Sequence, residues 1–280
     1  VISREASGSL EITNLGGILF AKRLSALESL KRKAVRVIVY KGANRVVTLK
    51  EQLGDRGYGI GFKGLVQYIN DQLPRKEEIG QALRREVPVY PEIALRELVA
   101  NALIHQDFSI SGTGPTVEIF EDRIEIINPG VPLIDPLRFL DEPPQSRNEA
   151  LAAVMRRLNI CEERGSGIDK VVAQAESFLL PAPDFQVSSS HMRAVLFGPR
   201  RFSQMDKKDR IRACYQHACL CLVSNSSMTN ASLRKRFGID EKNYPMVSRV
   251  IREAQDAKMI KIQNPESDSK KFAKYIPFWA

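Results

Sequence analysis

Apolar positions along this chain follow first one period and then another, and each change of period marks an element. The β-branched run AVRVIVY at 34–40 reads as a buried strand, preceded by a basic LKRK at 30–33 and a short apolar element, NLGGILFAK, at 14–22. Leu65, Tyr68, Ile69 and Leu73 recur at helical spacing and stop at Pro74. PEIALRELVANALIHQDF, 91–108, opens on a proline and keeps Ile93, Leu95, Leu98, Val99, Ala102 and Leu103 apolar, which predicts a helix. TVEIFEDRIEIINPG, 116–130, alternates as two strands about a tight Glu121-Asp122 turn and ends at Asn128-Pro129-Gly130. Helical patterns return at 151–160 and, after a glycine-containing loop, through 163–179; 185–198 is strand-like. The tail repeats the helical period at 207–222, 228–239 and 244–260, then gives two strands, KMIKIQ and KFAKYIPFW, around a polar turn at 264–271.

Charge divides the chain differently. The net +9 sits in 200–280, which hold 17 basic and 8 acidic side chains, whereas 1–90 carries +7 and 91–199 carries −7. These shifts suggest an N-terminal part (1–90), a core (91–199), a glycine-free linker (200–208) and a basic module (209–280). With 43% hydrophobic and 27% charged residues the composition is globular, and no apolar run approaches the ~20 residues of a membrane span. The N-terminus has no secretory pattern and four cysteines make no disulfide framework, so a cytoplasmic setting is expected. Val1 opens what reads as continuing sequence, so a trimmed or truncated protein is expected.

Candidate chemistry concentrates in the acidic stretch. Glu97, Asn101 and His105 are spaced i, i+4, i+8 and form one polar stripe on an otherwise apolar helix. A carboxylate and an amide one turn apart suit a magnesium nucleotide: the amide oxygen ligates Mg²⁺ and the carboxylate orients or deprotonates a water. Gly130 lets a flat base approach the backbone, and Arg164-Gly165-Ser166-Gly167 at a helix start offers N–H groups and charge to phosphates. His105, Gln106 and Asp107 read as a cap of their helix's C-terminus, ahead of the alternative that they orient a phosphate. Cys214, His217, Cys219 and Cys221 share one predicted helix, which favours buried small side chains over a metal ligand set.

These residues carry a resemblance. Tyr90-Pro91-Glu92 through Asn101 to Phe108, Asp122 to Gly130, Ser146-Arg147-Asn148 and Glu163 to Ile168 resemble the divergent GHKL-type (Bergerat) ATP-binding module of bacterial transcriptional regulators, over roughly 10–198. In that family the module usually follows a Schlafen-type AlbA-like domain. The resemblance implies an α+β protein: an α/β sandwich holding ATP between helices and loops. It implies Glu97 as the water-activating carboxylate, Asn101 as the Mg²⁺ ligand, Asn128 and Gly130 on the adenine side, and Gly165 and Gly167 around the phosphates. Family members place an aspartate where this chain has Asn128, a poorer acceptor, so weak nucleotide affinity and slow or absent hydrolysis are expected.

Three helices and a ribbon in the tail resemble, by their order, a small winged helix-turn-helix domain. That resemblance implies that Asn243, Tyr244, Ser248, Arg249 and Arg252 read base edges of double-stranded DNA while Lys235, Arg236, Lys242, Lys270 and Lys271 meet phosphates, in a homodimer. The function expected is an ATP-binding, DNA-binding transcriptional regulator. Its alternatives are a Mg-dependent ATPase of nucleic-acid processing or defence, and an interaction scaffold that binds no nucleotide.

Overall fold

The computed structural model describes residues 2–4, 10–79, 84–161, 166–266 and 273–280. Strands β1 (Ile2–Arg4) and β2 (Leu10–Ile12) pair as a hairpin and lead into helix α1 (Asn14–Phe20), whose N-cap Thr13 accepts from the Gly16 N–H. Strands β3 (Val35–Tyr40) and β4 (Thr48–Gly54), helix α2 (Tyr58–Asp71), a second hairpin, β5 (Arg75–Ile79) and β6 (Arg84–Pro88), and helix α3 (Glu92–His105) follow. Then come β7 (Thr116–Ile119), β8 (Arg123–Pro129), α4 (Glu149–Arg157), α5 (Gly167–Ser177), β9 (Asp184–Val187) and β10 (His191–Phe197).

Six of these strands form one mixed sheet in the order β4-β3-β7-β8-β10-β9, antiparallel except for the parallel β3–β7 pair. Its period-two pattern puts Val35, Val37, Val117, Ile119, Ile124, Ile126, Ala194 and Leu196 on one face, where they join α1–α5 in a single core. The other face is ionic. Glu118 and Glu125 lie opposite one another across β7 and β8, an arrangement that would be repulsive alone. Arg45, from the β3–β4 connection, reaches both carboxylates at 2.5 and 2.7 Å, and Arg123 and Arg193 add contacts to Glu125 at 2.7 and 3.2 Å. The outcome is a two-layer unit, helices on one side and ion pairs on the other.

The C-terminal stretch forms α6 (Lys207–Val223), α7 (Asn230–Phe237), α8 (Tyr244–Asp256) and an antiparallel ribbon of β11 (Ile260–Ile262) and β12 (Tyr275–Pro277). Gly238, at φ +62°, ends α7 in the left-handed conformation that the tight turn requires. Val247, Val250, Ile251 and Ala254 of α8 meet Ala213, Cys214, Ala218 and Cys219 of α6 in a second core, so Cys214 and Cys219 are packing residues. Leu140, Val172 and Ala182 of the sandwich complete that core. Among the described residues no helix is long and apolar enough to cross a membrane.

Candidate functional site

Helix α3 is buried on nearly all sides, and its polar stripe faces a cavity of the sandwich. Glu97, Asn101 and His105 line this cavity on one side; Ile126 and Asn128 of β8 with Met192 and Ala194 of β10 line it on another. Asn128 and Met192 are direct partners across the β8–β10 ladder, which puts both side chains on the same face. Gly167, the first residue of α5, closes the end near Glu97. A Cβ on Gly167 would stand 3.2 Å from Glu97 Oε2 and 3.7 Å from Asn101 Nδ2. These three residues, separated by up to 70 positions in the chain, therefore share one corner.

Glu97 is 2% exposed and its Oε1 pairs with Arg96 Nη1 at 3.2 Å, while Arg96 Nη2 donates to the carbonyls of Asn159 and Ile160. The carboxylate is thus desolvated on a helix anchored at its flank. At the opposite end, the Asp107 N–H donates to the Pro129 carbonyl at 2.8 Å, joining the exit of α3 to the end of β8. His105 lies at this end, and burial, helped by the positive Arg147, pulls its pKa below the usual histidine value. The imidazole is neutral near pH 7.

Several expectations need revising. Of His105, Gln106 and Asp107 it is Gln106 whose side chain caps α3, its Nε2 donating to the Leu103 carbonyl at 3.0 Å, and Asn148 adds to it, its Nδ2 donating to the carbonyls of Ile104 at 2.7 Å and Gln106 at 2.8 Å. Gly130 does not line the cavity: at φ +98° it packs against Asp107, whose Cβ would be 2.8 Å from a Cβ at position 130. The turn needs that glycine for close backbone approach to α3. Arg164 and Gly165 lie outside the described residues.

The Ser146-Arg147-Asn148 segment has a definite task. Arg147 donates to the Val131 carbonyl at 2.8 Å and reaches Asp107 at 3.4 Å, so the segment ties the exit of α3 to the loop after β8. Among the described residues Ser146 Oγ and Arg147 Nε have no hydrogen-bond partner and are shielded from solvent, while other atoms of both residues line the cavity.

The C-terminal unit presents Lys235, Lys242, Tyr244, Arg249 and Arg252 to solvent, with Asn243 and Ser248 partly exposed. Ser248 accepts from Asn230 at 3.0 Å, and Arg249 pairs along its helix with Glu253 at 3.1 Å. Arg236 is a correction: it is 4% exposed, donates to the Leu180 carbonyl at 2.7 Å and pairs with Glu176 at 3.3 Å, so it cannot meet a phosphate. Three-residue steps along α7 turn it towards α5 rather than to solvent. Lys270 and Lys271 lie outside the described residues.

Glu176 also holds His217 of α6, at 3.0 Å from Nδ1, and His217 Nε2 stands 3.1 Å from Ser232 Oγ. This series resembles a hydrolytic triad in order alone. Ser232 is the third residue of the α7 capping box, its hydroxyl bonded to the Thr229 backbone, so the group is a latch between helices. Burial alone would lower the His217 pKa, but hydrogen bonds to Cys221 and Glu176 and the Glu176 charge outweigh it and push it up to about 9.

The comparisons bear on the cavity directly. Residues 112–196 match the family described as putative ATP-dependent DNA helicase recG C-terminal. That stretch holds β7, β8, α4, α5 and β10, hence Asn128, Gly167 and most of the cavity wall, and the match supports an ATPase-like module there. No curated protein matches the chain. Among solved structures, the DIP2311 protein from Corynebacterium diphtheriae is similar in fold, with a TM-score of 0.61 at 18% identity. The match covers 98% of this chain and 55% of that one, so this chain spans about half the length of its structural relative.

Proposed function

We propose that this chain is a nucleotide-responsive, DNA-binding regulator: ATP with Mg²⁺ binds the cavity, and the C-terminal unit contacts double-stranded DNA as a winged helix-turn-helix, in a cytoplasmic homodimer. The observation that carries the reading is the convergence of Glu97, Asn101, Asn128 and Gly167 on one cavity of an ATPase-like module. The residues present fit a magnesium nucleotide. Asn101 offers an amide oxygen to the cation, and Gly167 leaves the start of α5 open where a side chain would crowd Glu97. Bound Mg²⁺ would supply the positive charge that an acidic stretch lacks for phosphates. Glu97 is positioned to hold a water, and Asn128 to meet the base.

Coupling to DNA follows from α5. Its first residue borders the cavity, and Glu176, nine residues and about 14 Å further along, grips His217 and Arg236 of the C-terminal helices. Val171 and Ala175 of the same helix belong to the sandwich core and Val172 to the C-terminal core. A nucleotide that shifts the start of α5 would therefore move the exposed face of α8.

Two measurements test the reading. Calorimetry should find Mg²⁺-dependent ATP binding that is weaker than micromolar and lost in Asn101→Ala; micromolar or tighter binding that the variant leaves unchanged would refute it. A salt titration of duplex binding should give a steep negative slope of log affinity on log salt, reduced by about one unit when Lys235→Ala removes a phosphate contact. A flat slope would assign the basic unit to protein contact. The buried Glu97 beside Asn101 favours a second reading, a slow Mg-ATPase; turnover abolished by Glu97→Gln with binding retained would select it.

A further inference from the structure

The end of the cavity away from Gly167 is built from hydrogen-bonding groups that can each act in either direction. Asn128 Nδ2 gives one N–H to the Pro129 carbonyl at 3.3 Å, which fixes the orientation of the amide. Its second N–H and its Oδ1 remain, one donor and one acceptor side by side on the cavity face of β8. His105, one turn past Asn101, makes no hydrogen bond to the described residues, and a neutral imidazole likewise carries one donor and one acceptor.

Carboxylates near this end are already committed. Asp107 accepts from the Ser109 N–H at 2.9 Å and pairs with Arg147 at 3.4 Å, and Glu142 pairs with Arg138 at 3.0 Å. An anionic acceptor would demand an amino group on the base and reject a carbonyl, because two acceptors would then face one another unpaired. Among the described residues Glu142 is the carboxylate lining this end, and Arg138 holds it through one oxygen.

Resting on the reading of this cavity as a nucleotide site, we infer that its base end takes purine nucleotides irrespective of the 6-substituent: Asn128 and His105 accept a 6-amino purine and a 6-oxo purine alike. A 6-amino group donates to Asn128 Oδ1; a 6-oxo group accepts from its free N–H. Specificity then lies in the purine shape and the phosphates rather than in adenine itself.

Competition against a fluorescent ATP analogue, with Mg²⁺ and the full chain, tests this with ATP, GTP, ITP and UTP. ATP, GTP and ITP should displace the analogue within about tenfold of one another, with UTP at least about tenfold weaker. Asn128→Asp should weaken GTP relative to ATP by about tenfold or more, since the free donor is lost and an anion faces the 6-oxo group. Should the buried aspartate prevent folding, Asn128→Ala serves instead and should weaken ATP and GTP to a similar degree. GTP binding about a hundredfold weaker than ATP, UTP competing as well as ATP, or an unchanged GTP-to-ATP ratio in Asn128→Asp would each overturn the inference and leave nucleotide binding standing. Failure of every nucleotide to displace or bind would overturn both.

Discussion

The His217 latch gives the sharpest prediction for stability. In the folded chain the imidazole is enclosed by Glu176, Ser232 and Cys221, and its pKa of about 9 compares with 6.5 for a free histidine. A group whose folded pKa is raised binds its proton more tightly in the folded state, so its contribution is complete below pH 6.5 and fades as pH rises through 9. At 1.36 kcal/mol per unit the difference amounts to about 3 kcal/mol, a large share of an ordinary domain's stability. Urea unfolding of the protein and of His217→Gln at intervals from pH 6 to 9.5 isolates this contribution as the difference between the two. The gap should shrink steadily across that range and nearly close at its upper end. A gap that is constant or widens with pH would show that His217 is not charged in the latch. Glu176→Gln serves as a check, because it should reduce the pH dependence while leaving Arg236 buried without an anion, at a further cost of about 3–5 kcal/mol.

Other expectations are more local. Asn148→Ala removes two hydrogen bonds from the last carbonyls of α3 and should lower stability by about 1–3 kcal/mol in chemical unfolding; a loss below 0.5 kcal/mol would mean that water replaces the amide without penalty. Gly130→Ala places a Cβ against Asp107 at a positive φ, and a melting temperature depressed by several degrees is expected; an unchanged one would mean that the turn relaxes freely. Gly167→Ala should leave the melting temperature of the ligand-free protein within a degree or two yet weaken Mg-ATP severalfold in calorimetry, because its methyl group would crowd Glu97 and Asn101; unaltered affinity would place the phosphates elsewhere.

Where the sequence was legible, one period and one burial pattern agreed. The apolar face of 91–108 and the alternation of 116–130 predicted α3, β7 and β8, and with them the stripe that reaches the cavity. β4, β5 and β6 escaped notice. TLKEQLG is exposed along almost its full length, and RKEEI and RREVP are charge-rich strands that pair with one another, so no apolar alternation marks them. Arg236 misled because charge predicts exposure, and a tertiary partner on α5, sixty residues upstream, overrode it. Asn148 as a second cap of α3 was beyond reach for the same reason: its acceptors are 44 and 42 positions away.

The double membership of α5 has a consequence for dissecting the chain. Charge places a boundary near residue 200, but packing does not respect it. Cleavage there, followed by separation of the pieces, would bare Leu140, Val172 and Ala182 on one fragment and leave Arg236 and His217 without Glu176 on the other. Each fragment would inherit half a seam, prone to stick to its neighbours, so a protease that nicks the 200–206 segment should leave two pieces that travel together through gel filtration.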